Sequence, residues 1–305
     1  MNRGQVGLGL FPPEQVAAAK AQACARPQEN GRPLARLSVR DVLDRCHDEG
    51  IFFSYSTLWR ILDQDAIRPW FWRPWIFPRD PYFLEKASPV LDLYARQWQG
   101  SPLNKHDLVL CGDEMTGLQA LSRIHPCQLP GPRTSGRYEF EYQRHGSLAY
   151  IAFMDVATGH VYGETAPKNG SAPFDACLEN CLEQPMCRDA KRVFLILDNG
   201  CAHHPHTSPR RLREKFPQVV AVHLPVHASW LNQIELYFSI VHRKALHPAD
   251  FADLDALTAR LLAFQRYHNE RSHPFRWNYS RADLARHLAR LRPEWQAGSD
   301  RPFTD

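Results

Sequence analysis

The 305-residue sequence has no apolar run close to the length of a membrane-spanning helix, which needs about 20 consecutive apolar residues. The apolar stretch at its N-terminus is also too short for a secretory signal peptide. These two absences predict a cytoplasmic protein that does not interact with a membrane.

The sequence also lacks a paired-cysteine motif, because its eight cysteines include no CxxC pair. In an intracellular protein, scattered cysteines are typical of reduced, mostly buried thiols. Cys201 lies near His203, His204 and His206, but no second ligand cluster follows at the spacing of a structural zinc site. The pattern therefore does not favour zinc.

Internal repeats and a strong excess of one charge are absent as well. The net charge is +4 and the sequence pI is about 8.6, values that are compatible with a polyanionic partner without requiring one. Hydrophobic residues make up 44% and charged residues 23%, as in folded globular proteins. The length is sufficient for a small module and a catalytic domain with its own core.

Two short helices joined by a tight turn are predicted near the N-terminus. Apolar residues recur at helical spacing between residues 38 and 49, and Gly50 suits the left-handed end of a helix. After the turn, Ser54 or Ser56 can cap a second helix, whose apolar face comprises Leu58, Ile61 and Leu62. The pair resembles a helix-turn-helix, although an ordinary helical hairpin has the same pattern.

A helix-turn-helix would place the start of its second helix in the major groove of DNA. The candidate DNA contacts on this helix are Tyr55, Ser56, Thr57 and Arg60.

The sequence predicts four regions: helical residues 1–67, a proline- and aromatic-rich linker at 68–104, a mixed α/β domain at 105–293, and a tail at 294–305. Within the α/β domain, an extended excursion at Ile124–Gly146 lies between the first two strands. The predicted strands are Leu108–Cys111, Ser147–Val156, His160–Glu164, Arg192–Leu197 and Val219–Leu224. The predicted helices are Ala172–Leu182, Ser208–Phe216, one that begins near Ser229, and Leu254–Tyr267.

Three acidic residues occupy positions typical of a functional site in an α/β domain. Asp113 follows the apolar run VLCG, Asp198 follows FLIL, and Glu235 lies on the helix that begins near Ser229. The ends of strands are where α/β domains place functional groups, although a single acid there more often caps a helix or closes a turn.

Three carboxylates in one pocket would repel one another unless cations neutralise them. Oxygen ligands favour Mg²⁺ or Mn²⁺, and a pair of such ions roughly 3.5–4 Å apart is the recurring device for phosphoryl transfer. Strand alternation predicts that Glu114 points away from such a site.

Three segments, LVLCGDEMTGLQAL, FLILDNGCAHH and VHLPVHASWLNQIELYFSIVHRKAL, closely resemble the catalytic motifs of mariner-like bacterial insertion-sequence transposases. The segment SHPFRWNYS resembles the insertion sequence 630 family in particular. The resemblance implies an RNase H-like fold, with Asp113 and Asp198 on adjacent strands and Glu235 on a following helix. One departure is HASWLNQIE, where Gln233 stands in a segment that usually contains a proline.

The resemblance also implies the activity of a DDE transposase. Asp113, Asp198 and Glu235 would hold two Mg²⁺ or Mn²⁺ ions for hydrolysis at the element ends and for strand transfer into target DNA. The partners would be double-stranded DNA, as terminal inverted repeats and target, and a second copy of the chain, reached by the Ile124–Gly146 excursion. The location would be the bacterial cytoplasm, at the nucleoid when bound to DNA.

Four further residues are candidate DNA contacts in the catalytic domain. Asn199 matches the family's Asp-Asn pair, and His203 or His204 is expected beside the active site, in contact with phosphate or water. Arg210 and Arg211 belong to a basic run that either contacts phosphates or forms a solvated helix face.

Two other functions stay open. A regulator that keeps an inactive catalytic fold would have lost one of the acids, whereas all three are present. An RNase H-like nuclease without strand transfer would not need the helix-turn-helix. Mariner-like transposases usually carry two helix-turn-helix units, and residues 1–37 show no second one, so we expect the first unit to be truncated or encoded upstream.

Overall fold

The computed structural model describes residues 11–31, 33–72, 78, 80 and 82–298. The chain divides into two units, one before residue 77 and the other from residue 77 onwards. Parts of the predicted linker (73–77, 79 and 81) and of the predicted tail (299–305) lie outside the described residues. No helix among the described residues is long and apolar enough to cross a membrane.

The first unit is built from three helices, α1 (Pro13–Cys24), α2 (Val39–Asp48) and α3 (Tyr55–Gln64), with a short 3-10 turn at Pro27–Asn30. The α2–turn–α3 pair is the predicted one. Ser38 caps α2, and the Ser54 hydroxyl accepts a hydrogen bond from the Thr57 amide at the start of α3. The predicted apolar face of α3 is fully buried, at Leu58, Ile61 and Leu62. Gly50 has the left-handed conformation predicted for the end of α2.

A buried arginine holds α1 against α2. Arg45 is 2% exposed. Its guanidinium donates to four backbone carbonyls at and beyond the end of α1, those of Gln22, Ala25, Arg26 and Pro27, at distances of 3.0–3.5 Å. These carbonyls need such partners because the last turn of a helix leaves its acceptors without partners within the helix.

The second unit begins with a hairpin of β1 (Gln97–Trp98) and β2 (Ser101–Pro102) and continues with the strands β3 (Asp107–Ser122), β4 (Gln143–Asp155), β5 (Val161–Ala166), β6 (Arg192–Leu197) and β7 (Val219–His223). These five strands form one sheet in the order β5-β4-β3-β6-β7. Neighbours among β3, β4 and β5 are antiparallel, and β6 and β7 run parallel to β3. The helices are α4 (Phe83–Tyr94), α5 (Ser171–Leu182), α6 (Ser208–Lys215), α7 (Ile234–Val241), α8 (Leu254–Asn269) and α9 (Arg281–Gly298).

The sheet separates two apolar clusters. One cluster contains buried residues of α4, α7 and α8, and the other contains buried residues of α5 and α6. Successive residues of β3 alternate between them, because Val109 and Cys111 belong to the first cluster and Leu110 belongs to the second.

Four features differ from the sequence prediction. β3 continues to Ser122, so Asp113 lies within a strand and not beyond its end. Helix α4 lies within the predicted linker. Helix α7 begins at Ile234, after a 3-10 turn at Ser229–Leu231. Helix α9 extends into the predicted tail. Each difference concerns a segment whose structure depends on what it packs against.

Replacing Arg45 with alanine should destabilise the first unit, because four backbone carbonyls lose a charged donor. Hydrogen bonds to charged groups contribute about 1.5–3 kcal/mol each, and we expect a loss of about 2 kcal/mol after relaxation. The measurement is hydrogen–deuterium exchange of α1 and α2 peptides in the intact chain, where Arg45→Ala should accelerate exchange. Arg40→Ala removes an exposed arginine from the same helix and is the control. Equal protection in Arg45→Ala and Arg40→Ala would contradict this role of Arg45.

Candidate active site

Asp113 lies on β3 just beyond the point where its parallel neighbour ends. The last β3–β6 pair is Cys111 with Ile196, whereas β3 continues to pair with β4, where Ala152 is opposite Asp113. Asp113 is 7% exposed, and its Oδ1 accepts a hydrogen bond of 2.8 Å from the Glu114 amide. Its carboxylate is thus buried at the edge left by the shorter strand.

Asp198 directly follows β6 and brings a second carboxylate to the same edge. Its Oδ1 accepts a hydrogen bond of 2.7 Å from the Gly200 amide and a hydrogen bond from His203 Nε2. Both bonds go to one oxygen, so Oδ2 is the oxygen available to a cation.

His203 joins this group from a 3-10 turn at Cys201–His203. It is fully buried, and its Nδ1 lies 3.6 Å from Oε1 of Glu114. One ligand atom each from Asp113, Asp198 and His203 lie within 4.8 Å of one another. Glu114 was not expected in the site, but its carboxylate reaches the group because His203 lies on its side of the strand.

Glu235 occupies the first turn of α7 and is exposed to solvent. Two hydrogen bonds hold the residues just before this helix, one to the sheet and one to α4. Asn232 Nδ2 donates to the Gly112 carbonyl at 3.0 Å, and the Tyr94 hydroxyl donates to the Leu231 carbonyl at 2.7 Å. Glu235 lies outside the 4.8 Å group, but its charge interacts with those of Asp113 and Asp198.

The electrostatics of the site show crowding of negative charge. Burial, and then the charge of Asp198, raise the pKa of Asp113 to about 8. Burial and the charge of Asp198 also raise the pKa of Glu235. Burial opposes ionisation of Asp198, but the hydrogen bonds from His203 and the Gly200 amide outweigh it, so the pKa of Asp198 is lowered. A cation at this position would relieve the repulsion.

The predicted DNA contacts of the catalytic domain have other partners. His203 is enclosed by carboxylates and by the ring of Phe174, and its expected contact with DNA stays a prediction. Asn199 Nδ2 donates to the Leu224 carbonyl at 3.1 Å, which joins the end of β6 to the end of β7. Arg211 pairs with buried Asp175 at 3.2 Å and donates to the Ala202 carbonyl.

Arg210 and the candidate residues of α3 are more accessible. The Arg210 side chain is exposed and pairs with Glu214 one turn away. Tyr55, Ser56 and Arg60 are exposed on α3, and Thr57 is half-buried. Sequence reasoning missed Glu114, for which the available signals were the Asp-Glu pair and a histidine five positions after Asp198.

Residues 108–258 match the family model described as DDE superfamily endonuclease. This segment is a DDE superfamily endonuclease domain. The matched segment contains Asp113, Asp198 and Glu235. No curated protein sequence matches the chain.

Among solved structures, the chain is similar to complexes of the Mos1 mariner transposase. A Mos1 mariner paired-end complex with Mn gives a TM-score of 0.53 at 12% identity, over 97% of this chain and 80% of that one. A Mos1 mariner paired-end complex with Mg gives a TM-score of 0.52 at 13% identity, over 100% of this chain and 84% of that one. A Mos1 paired-end complex with the left transposon end gives a TM-score of 0.51 at 14% identity, over 97% of this chain and 80% of that one. The likeness at these identities concerns the fold, and the predicted fold class is confirmed.

The raised pKa of Asp113 leads to a prediction for the metal-free protein. The folded state holds the proton between about pH 4 and about pH 8, whereas the unfolded chain has lost it. The free energy of unfolding therefore falls as the pH rises through this window. Asp113→Asn, which carries no charge, should unfold at a higher temperature than the unsubstituted protein at pH 8 and at a similar temperature at pH 4.

Thermal unfolding in EDTA and in Mg²⁺ checks this prediction. Mg²⁺ should stabilise the unsubstituted protein at pH 8 more than Asp113→Asn. Asp189→Asn, which neutralises an exposed acid, is the control and should behave as the unsubstituted protein does. Parallel profiles for Asp113→Asn and the unsubstituted protein would show that charge crowding at Asp113 is absent.

Proposed function

We propose that this chain is a DNA transposase that cleaves phosphodiesters at the ends of a mobile element and joins the freed 3′ ends to target DNA. The observation that supports it best is the grouping of buried Asp113 and half-buried Asp198 at neighbouring strands, with Glu235 on the following helix, in a DDE superfamily endonuclease. The solved Mos1 complexes with transposon-end DNA have the same fold. Membership of the bacterial insertion sequence 630 family stays a prediction.

The residues present fit a pair of divalent cations. Asp113 and Asp198 each have one oxygen anchored by the protein and one available, and Glu235 adds a third carboxylate at the solvent side. Oxygen ligands of this kind suit Mg²⁺ or Mn²⁺, and similar Mos1 complexes contain Mg or Mn. When bound, such ions supply the positive charge that phosphodiester cleavage and attack by a 3′ hydroxyl require.

The three carboxylates differ in burial, so the site has an inner side and a side that faces solvent. Asp113 is buried and Asp198 is half-buried, whereas Glu235 lies at the solvent side, where a DNA strand can approach. Asn232 connects the start of the Glu235 helix to the backbone carbonyl of Gly112, the residue before Asp113. A displacement of α7 would therefore alter the position of Glu235 relative to Asp113.

The helix-turn-helix of the first unit is the proposed DNA-binding module. The start of α3 is solvent-exposed at Tyr55 and Ser56, and its opposite face is buried in the three-helix core. This polarity is what a recognition helix requires, because one face must pack while the other contacts base edges and phosphates.

The proposed active form is a homodimer that holds two element ends. Residues 124–142 leave the sheet between β3 and β4 and carry exposed apolar side chains, including Leu129 at 87% and Phe140 at 91% exposure. Isolated bridges between Gln128 and Arg137 and between Gly131 and Thr134 show that the segment folds back on itself. Exposed apolar side chains on an ordered excursion are suited to a partner molecule.

Alanine at Asp113, Asp198 or Glu235 should abolish cleavage and strand transfer while leaving DNA binding intact. Loss of a residue that only supports a metal ligand costs roughly 10–100-fold, so loss of a ligand should cost at least roughly 100-fold. The assay uses duplexes that carry the DNA flanking the coding sequence, with Mg²⁺ and mapped products. Glu214→Ala, an exposed acid on α6, is the control. Cleavage without strand transfer would favour a nuclease, and binding without cleavage an inactive regulator.

Serine at both Leu129 and Phe140 should weaken paired-end assembly, because it removes apolar surface that we assign to the partner. Binding of a single end should stay unchanged, since both side chains are exposed in the single chain. Mass photometry of complexes with end-sequence duplexes separates the two states. Undiminished pairing in the double variant would place the dimer contact elsewhere.

A further inference from the structure

We propose that Glu114 and His203 are positioning residues that hold Asp113 and Asp198 in their metal-binding orientations. The inference rests on the proposed function and extends it to two residues that need not contact the metal or DNA. The observation behind it is an unbroken chain of contacts from the Asp113 carboxylate through Glu114 and His203 to the Asp198 carboxylate.

The first step concerns the orientation of Asp198. A carboxylate that accepts two N–H groups on the same oxygen cannot rotate without breaking both bonds. The Gly200 amide and the His203 ring both bind Oδ1, so the direction of Oδ2 is set by the protein. Removal of His203 would leave the Gly200 amide alone to hold it.

The second step concerns the immobility of His203 itself. Its ring packs 5.2 Å from that of Phe174, and its backbone carbonyl accepts hydrogen bonds from Ser208 Oγ and His223 Nε2 at 2.9 and 3.0 Å. The imidazole is therefore enclosed on its apolar face and fixed at its backbone. These contacts disfavour other rotamers of His203, so its imidazole can hold the Asp198 carboxylate in one orientation.

The third step concerns Glu114, whose side chain is 4% exposed. Within the described residues, Glu114 Oε1 and His203 Nδ1 have no hydrogen-bond partner, and they face each other at 3.6 Å. A buried carboxylate is costly unless a cationic or donating group compensates it. His203 is placed to be that group, so the pair orients the imidazole from the side opposite Asp198.

The backbone of Glu114 adds a second connection. Its amide donates to Oδ1 of Asp113 at 2.8 Å. One residue thus anchors Asp113 through its amide and Asp198 through its side chain and His203. This arrangement resembles the outer-shell contacts that fix ligands in metal sites, whose loss typically weakens metal affinity by roughly 10–100-fold.

The test measures Mn²⁺ binding to the intact chain without DNA, by electron paramagnetic resonance. His203→Ala and Glu114→Ala should each weaken Mn²⁺ affinity by roughly 10–100-fold with an unchanged number of ions bound. Glu114→Gln, which keeps an oxygen facing His203, should lose less than Glu114→Ala. Asp107→Asn changes another buried carboxylate, which pairs with Arg192 at the start of β3, and is the control, with unchanged affinity expected.

A double variant distinguishes positioning from other roles. If Glu114 acts through His203, the pair His203→Ala and Glu114→Ala should lose little more affinity than His203→Ala alone. Additive losses, a loss of bound ions, or unchanged affinity in His203→Ala would each overturn the proposal. Thermal unfolding checks that each variant folds. If Glu114→Ala does not fold, Glu114→Gln replaces it, because glutamine retains the side-chain volume.

The cleavage assay then separates this inference from the proposed function. The concentration of Mn²⁺ for half-maximal cleavage should rise in both alanine variants, while the rate at saturating Mn²⁺ changes less. DNA binding should be unaffected. Failure of the unsubstituted protein to bind Mn²⁺ or to cleave would refute the proposed function, whereas unsubstituted activity with unaltered Mn²⁺ affinity in both variants would refute only the positioning role.

Discussion

Repulsion between carboxylates is the constraint on which the organisation of this catalytic domain depends. Asp113 and Asp198 are brought together because β3 and β6 are parallel neighbours and β6 ends first. The buried position raises the pKa of Asp113, whereas donors from Gly200 and His203 keep the Asp198 carboxylate ionised. The fold therefore holds a site whose negative charge is only partly compensated by the protein, as a cation-binding site requires.

Several polar residues near this site make contacts that hold the fold together. Arg211 is engaged by Asp175, and Asn199 connects the ends of β6 and β7. These contacts fix the loop between β6 and α6, which carries Asp198 and His203. Their contribution to function is indirect, because a shift of this loop would move a metal-binding carboxylate. A basic or amide side chain beside an active site is thus not in itself a nucleic-acid contact.

The exposed parts of the chain have a different character. The start of α3 exposes polar and aromatic side chains on a helix whose other face is buried, and the excursion between β3 and β4 exposes large apolar side chains. In the proposed function, the carboxylate group, the exposed helix face and the apolar excursion would serve cutting, recognition and pairing, respectively.

The sequence by itself determined the order of the elements that it predicted, the glycine at the end of α2, a serine cap on α3 and the three acids, because hydrophobic periodicity, capping residues and family motifs are local. It did not determine the length of β3, helix α4 or helix α9, whose structures depend on distant partners. Alternation along a strand predicted that Glu114 would point away from the site. Only the tertiary structure placed His203 on that side, where it connects Glu114 to Asp198. Local patterns specify which face a side chain occupies, whereas the packing of other elements decides what it meets there.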